Sequence, residues 1–202
     1  MTLIAPKWDA DFAASDLHGV PGQITRMKAA VAYCKDLRTA IDVGAHIGIW
    51  TTFLANKFKR VDAFEPVPEN MHCLETNTKE LNNVVLWPVA LGFASGVVSM
   101  DKHGENSGCW RVRGGTDVQM SRLDDFNFSG VDLLKIDAEG YEGYVLLGAE
   151  KTLDESRPVV VFEENGLGKK FYGSEWVDPT TVLRKHGYRM RVRYNKDFVW
   201  SP

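Results

Sequence analysis

The sequence of 202 residues has little of several features, and each scarcity excludes a class of protein. Its three cysteines, Cys34, Cys73 and Cys109, are scattered and form no CxxC pair, so neither a disulfide framework nor a cysteine metal site is expected. No apolar run approaches the roughly 18 residues that span a bilayer. The first residues lack the basic and apolar segments of a signal peptide. We therefore expect a cytoplasmic protein with no membrane span.

A strong excess of one charge is also missing. Lysine and arginine number 24, aspartate and glutamate 27, and the formal net charge is −3. Proteins that bind nucleic acid usually carry a pronounced basic face, so we expect no nucleic-acid partner. The one basic stretch, residues 184–196, is expected to form a solvated strand face or to bind a phosphate or carboxylate of an acceptor.

From residue 39 onwards, short apolar runs alternate with segments of helical spacing. This alternation is typical of a doubly wound α/β fold with a mostly parallel sheet. In the last two strands, arginines alternate with apolar residues, which predicts a half-exposed, antiparallel edge. The predicted strands are 39–44, 60–66, 84–91, 131–137, 158–164 and two more near the C-terminus, and the predicted helices are about 23–34, 48–58, 68–81, 141–153 and 178–186.

Two segments stand outside this alternation. Residues 1–38 are predicted to form an N-terminal surface arm followed by one helix. Residues 92–130 are longer than a strand-to-helix crossover needs, and their Gly, Asn, Arg and Trp content indicates either a hairpin or a mobile loop. We expect a single domain, with a core over 39–202 into which this segment is inserted. The arm and the arginine-rich edge are two candidate surfaces for a homodimer.

The stretch AIDVGAHIGIW, residues 40–50, predicts a strand, a tight turn and the start of a helix. Ligands of doubly wound sheets bind at the carboxyl ends of the strands, where Gly44 and Gly48 are placed. Glycine lets the backbone approach a ligand closely, and the helix N-terminus offers free N–H groups. Glu65 ends the next strand and is placed to accept both hydroxyls of a ribose, a contact worth about 1.5–3 kcal/mol.

A dinucleotide-binding turn reads GxGxxG, but this turn has His46 in place of the middle glycine. Because that glycine gives close approach to a pyrophosphate, its absence disfavours NAD. S-adenosylmethionine, which has a ribose and an adenine but no phosphate, fits the turn better. The alternative is a structural turn that binds nothing.

Several longer segments resemble the FkbM family of S-adenosylmethionine-dependent methyltransferases. They are IDVGAHIGIWT, AFEPVPENMHCLETN, VALG and LDDFNFSGVDLLKIDAEGYEGYVLLGA, followed by PVVVFEEN. The resemblance spans roughly residues 39–165, and KIDAEGYE is its most specific part. It implies the class I methyltransferase (Rossmann-like) fold, with a seven-stranded sheet whose last strand is antiparallel. It also implies methyl transfer to a hydroxyl oxygen, often of a sugar or a polyketide-like product.

The resemblance further implies which residues bind the cofactor. Glu65 is expected to hold the ribose, and Pro66 and Ala90 to flank the adenine. The residues expected along the methionine side are Asp42, Gly44, His46, Ile47 and Gly48. For His46, its position in the turn leaves a structural role equally open.

Carboxylates follow the two strands that end beside the predicted cofactor site. Asp137, Glu139 and Glu163 are candidate catalytic groups, since a general base can take the proton of an acceptor hydroxyl. An alternative is an all-oxygen site for Mg or Mn, formed by Asp137, Glu164 and Asn165. That layout is similar to the cation-dependent catechol-type O-methyltransferases, although Glu stands where they have Asp.

Structural roles remain open for some of these groups. Glu139 is a candidate cap of the following helix, and Lys135 a partner of a neighbouring acid. Within the inserted segment, His103, Trp110 and Arg111 are candidates for contacts with the acceptor, because a Trp face suits a sugar ring. The alternative for this segment is a loop with one buried anchor.

These features predict an S-adenosylmethionine-dependent O-methyltransferase that acts on a small-molecule or glycan acceptor. A non-catalytic nucleotide-binding or interaction module with the same fold is the alternative from another class. An NAD-linked oxidoreductase is disfavoured by the missing middle glycine.

Overall fold

A computed structural model of the protein describes residues 3–9, 23–194 and 196–202 and contains one large and one small β-sheet. Most of the predicted N-terminal arm, residues 10–22, lies outside the described residues. No helix in the described ranges is both long and apolar enough to cross a membrane.

The large sheet is built from strands with short, buried, apolar sequences. Its strands in chain order are β1 (Thr39–Val43), β2 (Arg60–Phe64), β3 (Val84–Trp87), β8 (Val131–Ile136), β9 (Val159–Glu163), β10 (Arg189–Tyr194) and β11 (Asp197–Ser201). Their order across the sheet is β10-β11-β9-β8-β1-β2-β3. β11 runs antiparallel to both of its neighbours, β10 and β9, and the other neighbouring strands of this sheet are parallel. The predicted class I methyltransferase arrangement, with an antiparallel last strand and an exposed arginine edge on β10, is therefore confirmed.

The helices lie between these strands, as the alternation predicts. They are α1 (Gln23–Ala32), α2 (Ile49–Ala55), α3 (Pro68–Thr78), α4 (Glu142–Leu147), α5 (Glu150–Glu155), α6 (Leu167–Tyr172) and α7 (Pro179–Lys185). Short 3-10 turns cover Leu123–Phe126 and Gly173–Glu175. Proline at the first position of α3 and of α7 has no N–H to leave unpaired there.

The inserted segment forms most of the small sheet, which settles the choice between a hairpin and a loop. The strands are β4 (Ala90–Leu91), β5 (Gly96–Lys102), β6 (Trp110–Gly114) and β7 (Val118–Ser121), in the order β4-β7-β5-β6. β5 and β6 are an antiparallel pair joined by residues 103–109. The single strand predicted over 84–91 is wrong, because Pro88 divides it into β3 and β4, which belong to different sheets.

Two other boundaries differ from the sequence prediction. The helix predicted over 141–153 is divided into α4 and α5 near Gly148, which packs so closely on the main chain of Gly92 that a Cβ there would overlap it. Of the predicted N-terminal arm, residues 3–9 are described, and they contact α3. Leu3 is buried, and the main chain of Ile4 exchanges two hydrogen bonds with the side-chain amide of Asn77.

Candidate active site

A cavity of about 180 Å³ opens at the carboxyl ends of β1, β2 and β8. Ligands of doubly wound sheets bind at this edge. The small sheet forms the opposite wall, so the inserted segment completes the cavity. Lining residues include Gly44, His46, Glu65, Pro66, Asn70, Ala90, Met100, Gly108, Trp110, Val112, Asp137 and Glu139.

The turn after β1 brings main chain close to the cavity. Gly44 has φ +69°, and a Cβ there would overlap the main-chain carbonyl of Asp137 at the end of β8. His46 also takes a positive φ, 55°, which non-glycine residues rarely adopt. The position that lacks the middle glycine of a dinucleotide turn thus keeps a glycine-like backbone and adds a side chain.

The His46 ring is held beside the segment that joins β5 and β6. Its Nε2 lies 2.6 Å from Oγ of the fully buried Ser107. Burial and the nearby Lys135 lower the pKa of His46 to about 4. The ring is therefore neutral at physiological pH, and a hydrogen-bonding role fits it better than that of a proton acceptor.

Glu65 is fixed at the end of β2 by main-chain donors. Its Oε2 accepts the N–H of His46 at 2.8 Å, and its Oε1 accepts the N–H of Val67 at 2.9 Å. Burial raises the pKa of Glu65 to about 7, although these hydrogen bonds oppose the shift. Each oxygen keeps a second lone pair, so the carboxylate is oriented to accept two further hydroxyl groups from the cavity.

Lys135 stabilises the turn after β1 through its buried ammonium group. Its buried Nζ lies 2.9 Å from Oδ1 of Asp42 and donates to the carbonyl of Gly44 at 2.7 Å. Burial lowers the pKa of Lys135, but Asp42 and Asp137 outweigh it and raise the pKa above its ordinary value. The predicted pairing of Lys135 with a neighbouring acid is confirmed.

Three of the residues predicted along the cofactor lie behind the cavity wall. Asp42 is fully buried and accepts the hydroxyl of Thr51, Ile47 packs in the core, and Gly48 precedes α2 beside Leu74. These three residues therefore help to shape the turn. Their contact with a cofactor stays a prediction.

The predicted catalytic carboxylates lie near one another but in different surroundings. Glu139 lines the cavity with φ +50°, a conformation that is strained for glutamate. Burial, followed by repulsion from Asp137 and Glu163, raises the pKa of Glu139 to about 8. Glu163 lies in a small crevice with Asp137 and has a pKa raised to about 7, mainly by burial.

Glu139 does not cap the following helix, since no side chain makes a capping hydrogen bond at the start of α4, and the acid in its first turn is Glu142. Oε1 of Glu142 accepts the N–H groups of Ala138 and Gly140, which closes the turn before α4. The side chain of Asp137 is 39% exposed and lies at the end of β8.

The predicted metal set is not assembled. Glu164 accepts the N–H of Gly166, and Asn165 accepts that of Leu167, so both oxygens bind their own loop. Among the described residues, no group of three His, Cys, Asp or Glu side chains is arranged to hold a metal ion.

Of the three residues predicted to contact the acceptor, Trp110 lines the cavity, whereas His103 and Arg111 are not among its lining residues. His103 lies behind Glu139, with its Nε2 3.4 Å from Oε2 of that residue. Arg111 donates to Asp101 at 2.6 Å, and its guanidinium lies 4.2 Å from the ring centre of Phe171. The charge of Arg111 is therefore partnered within the protein.

Sequence reasoning did not identify several cavity residues. Met100 and Val112 come from the small sheet, whose pairing has no local sequence signal. Asn70 lies in the first turn of α3, five residues after Glu65.

Four glutamates have raised pKa values, which makes stability depend on pH. Burial raises the pKa of Glu65, Glu142 and Glu163 to about 7, and that of Glu139 to about 8. Ordinary glutamates in the unfolded chain are ionised above about pH 4.5. The folded protein therefore binds more protons than the unfolded chain up to about pH 8, and stability is lost as the pH rises through the folded values. Below pH 6.5 the lowered pKa of His46 has the opposite effect.

We expect the free energy of unfolding to fall between pH 6.5 and pH 8, by on the order of 1 kcal/mol for each of these carboxyls. Urea unfolding at a series of pH values measures it. Glu142→Gln should make the fall smaller, because the amide oxygen still accepts the two N–H groups but does not titrate. A free energy that rises over this pH interval would contradict the prediction.

Comparison with known proteins identifies the family. The model of the methyltransferase FkbM domain matches residues 42–190. Among curated proteins, none matches the sequence.

Solved structures share the fold at low sequence identity. A methyltransferase FkbM from Methylobacillus flagellatus KT aligns with a TM-score of 0.57 and 16% identity, over 83% of this chain and 44% of that protein. A precorrin-6y C5,15-methyltransferase from Geobacter metallireducens GS-15 aligns with a TM-score of 0.57 and 15% identity, over 99% and 97%. An rRNA methylase from Streptococcus thermophilus aligns with a TM-score of 0.54 and 14% identity, over 88% and 93%.

The chain spans less than half the length of the FkbM structure that it matches. The family model nevertheless covers most of the sequence, including the glycine turn, Glu65 and the carboxylates after β8 and β9. The chain belongs to the FkbM family of methyltransferases and has their class I fold.

Proposed function

We propose that this methyltransferase transfers the methyl group of S-adenosylmethionine to a hydroxyl oxygen of a small acceptor, such as a sugar or glycan. The observation that carries the proposal is the cavity itself, with the fixed carboxylate of Glu65 on one side and the raised-pKa carboxyl of Glu139 on the other. We assign Glu65 to binding the ribose of the cofactor and Glu139 to taking the proton of the acceptor hydroxyl.

The cavity fits the chemistry of the cofactor. Glu65 offers two acceptor oxygens for a ribose. Pro66 and Ala90 contribute apolar surface next to Glu65, as an adenine requires. When bound, S-adenosylmethionine supplies a methyl group on a positively charged sulfur.

We assign binding of the acceptor to the part of the cavity around Glu139. Methyl transfer depends mainly on holding the acceptor oxygen in line with the methyl group, and Trp110 provides a flat face for a sugar ring. Glu139 takes the hydroxyl proton as the oxygen gains the methyl group. Its pKa near 8 makes it a stronger base than an ordinary glutamate.

Glu65→Ala is expected to weaken binding of S-adenosylmethionine by about 1.5–3 kcal/mol, or roughly tenfold to more than a hundredfold. Isothermal titration calorimetry measures this loss. Glu75→Ala, an exposed residue on α3, is the matched control. Unchanged affinity of a folded Glu65→Ala protein would remove Glu65 from the ribose.

Incubation with methyl-labelled S-adenosylmethionine and a panel of acceptors tests the reaction. The panel contains sugars and other small hydroxyl compounds, matched with amine analogues. We expect label in a methyl ether, identified by mass spectrometry and NMR. Label on nitrogen or carbon would contradict O-methylation, and cofactor binding without transfer to any acceptor would favour a non-catalytic module.

The proposal includes three expectations about the environment of the enzyme. The acceptor is a small molecule or glycan rather than a nucleic acid, the compartment is the cytoplasm, and the exposed edge strand β10 is a candidate contact in a homodimer. A divalent cation remains a candidate cofactor, to be tested by activity with and without a chelator.

A further inference from the structure

The imidazole of His103 lies next to the carboxyl group of Glu139. His103 is the first residue after β5, and its Nε2 is 3.4 Å from Oε2 of Glu139. Glu139 lines the cavity, whereas His103 is not among the lining residues. The side chain of His103 is 14% exposed. His103 is therefore in contact with the proposed base and with solvent, but it does not form part of the cavity wall.

The hydrogen bonds of His103 indicate which ring nitrogen carries the proton. Burial lowers the pKa of His103, as does the nearby Arg111, while a hydrogen bond with the main chain of His103 itself opposes the shift. A bond that raises this pKa is one in which the ring donates to a carbonyl, and only Nδ1 reaches the carbonyl of its own residue. In the neutral ring, Nδ1 therefore carries the proton and Nε2 presents a lone pair.

The contact between Nε2 and the carboxyl group calls for a proton. Nε2 of His103 is buried and has no hydrogen-bond partner among the residues that the structure describes. Its lone pair and those of an ionised carboxylate repel each other, whereas a proton between the two atoms makes a hydrogen bond. The carboxyl group is also held by Asn165, whose Nδ2 lies 3.5 Å from Oε2 and whose Oδ1 accepts the N–H of Leu167.

The charged groups around the pair keep the proton on the carboxyl group at neutral pH. Burial, followed by neighbouring acids, raises the pKa of Glu139 to about 8, and burial, followed by neighbouring cations, lowers that of His103. The acids are Asp137, Glu163 and Glu142, the cations are Arg111 and Lys170, and Asp101 partly offsets the cations. The nearby thiol of Cys109 stays neutral, because burial and Glu139 raise its pKa.

We propose that His103 takes the proton of the acceptor hydroxyl from Glu139 and releases it to solvent. In the methyl-transfer step, the hydroxyl oxygen bonds to the methyl carbon, the carbon–sulfur bond breaks, and its electron pair stays on sulfur. The hydroxyl proton goes to the carboxylate of Glu139, then to Nε2 of His103, and finally from the imidazolium to water. This inference rests on the proposed function.

A relay is useful here because a filled cavity covers the base. The side chain of Glu139 is only 18% exposed and lines the cavity, so bound cofactor and acceptor restrict the access of water to it. A carboxyl group with a raised pKa also releases its proton slowly. An imidazole with a lowered pKa passes a proton to water readily and returns to its neutral form, ready for the next turnover.

His103→Gln tests the relay in the reaction, because glutamine forms hydrogen bonds but does not take a proton. We expect kcat to fall by about 10- to 100-fold, with cofactor affinity unchanged by calorimetry. The kcat of the variant should then rise with the concentration of a small basic buffer such as imidazole, which takes the proton from Glu139 instead. A purely structural role of His103 gives no such dependence on buffer.

Two further variants serve as controls. His103→Phe keeps an aromatic ring against Phe171, whose centre lies 4.9 Å from that of His103, and should show the same loss and the same buffer dependence. It covers a failure of the glutamine variant to fold. His72→Gln, at an exposed histidine on α3, should leave kcat unchanged.

An NMR titration tests the pair without catalysis. The ring resonances of His103 are followed between about pH 5 and pH 10 in the wild type and in Glu139→Gln. Because the two groups are coupled, we expect a second inflection of the His103 resonances near pH 8, where Glu139 loses its proton. Glu139→Gln should abolish this inflection.

The outcomes separate the relay from the proposed function. A wild type without the second inflection, or a Glu139→Gln protein that keeps it, would overturn the relay. So would folded His103 variants that turn over at the wild-type rate or whose kcat does not respond to buffer. Methyl transfer by the wild type to nitrogen or carbon, with the inflection present, would contradict the proposed O-methylation instead.

Discussion

Lys135→Met is expected to destabilise the protein by about 3–5 kcal/mol, the usual effect of removing one partner of a buried ion pair. The ammonium group is 5% exposed and lies against Asp42, which is fully buried. Without it, the carboxylate of Asp42 is left without its counter-charge, and the carbonyl of Gly44 loses a donor. Urea unfolding measures the change.

A double variant separates charge from packing. Adding Asp42→Asn to Lys135→Met should recover part of the loss, because the uncompensated charge is gone while the amide still bonds Thr51. Lys57→Met, at an exposed lysine, should stay within about 0.5 kcal/mol of the wild type. A Lys135→Met protein as stable as the wild type would show that the glycine turn does not depend on this pair.

Glu139→Gln is expected to lower kcat by roughly 10²- to 10⁴-fold, the range for loss of a general base. The amide has the size of the carboxyl group but does not take a proton, so cofactor affinity should be nearly unchanged. Steady-state rates with an identified acceptor, combined with calorimetry, measure both quantities. Glu155→Gln, at an exposed position on α5, is the control.

The pH dependence of the same reaction gives an independent check. A base acts when deprotonated, so kcat/KM should rise with pH and level off above the pKa of Glu139, about 8. Asp137→Asn should move this inflection to lower pH, because it removes a nearby like charge. A profile that is flat between pH 6 and 9 would assign the proton transfer elsewhere.

Much of the fold could be predicted because it is encoded locally. The parallel strands are short apolar runs, and the arginines of β10 alternate with Met190, Val192 and Tyr194, so periodicity alone identifies these strands. The small sheet could not be predicted in the same way. Its strands pair β4 with β7 across the inserted segment, and the division at Pro88 depends on which sheet each half joins.

In the candidate site too, some residues could be placed from local sequence, whereas the positions of others depend on tertiary contacts. Gly44 and Glu65 could be placed from strand ends and turn chemistry. The different positions of Asp42 and Glu139 could not, since one carboxylate is fully buried against Lys135 and the other lines the cavity. Strand-end position predicts that an acid is near the site, but side-chain direction and partners decide what it does there.

The most direct measurement is calorimetric titration of the wild-type protein with S-adenosylmethionine, S-adenosylhomocysteine and NAD. We expect the first two to bind with micromolar affinity and NAD not to bind, because His46 occupies the place of the glycine that approaches a pyrophosphate. Binding of NAD in preference to the other two, or binding of none of them by the folded protein, would contradict the proposed use of S-adenosylmethionine.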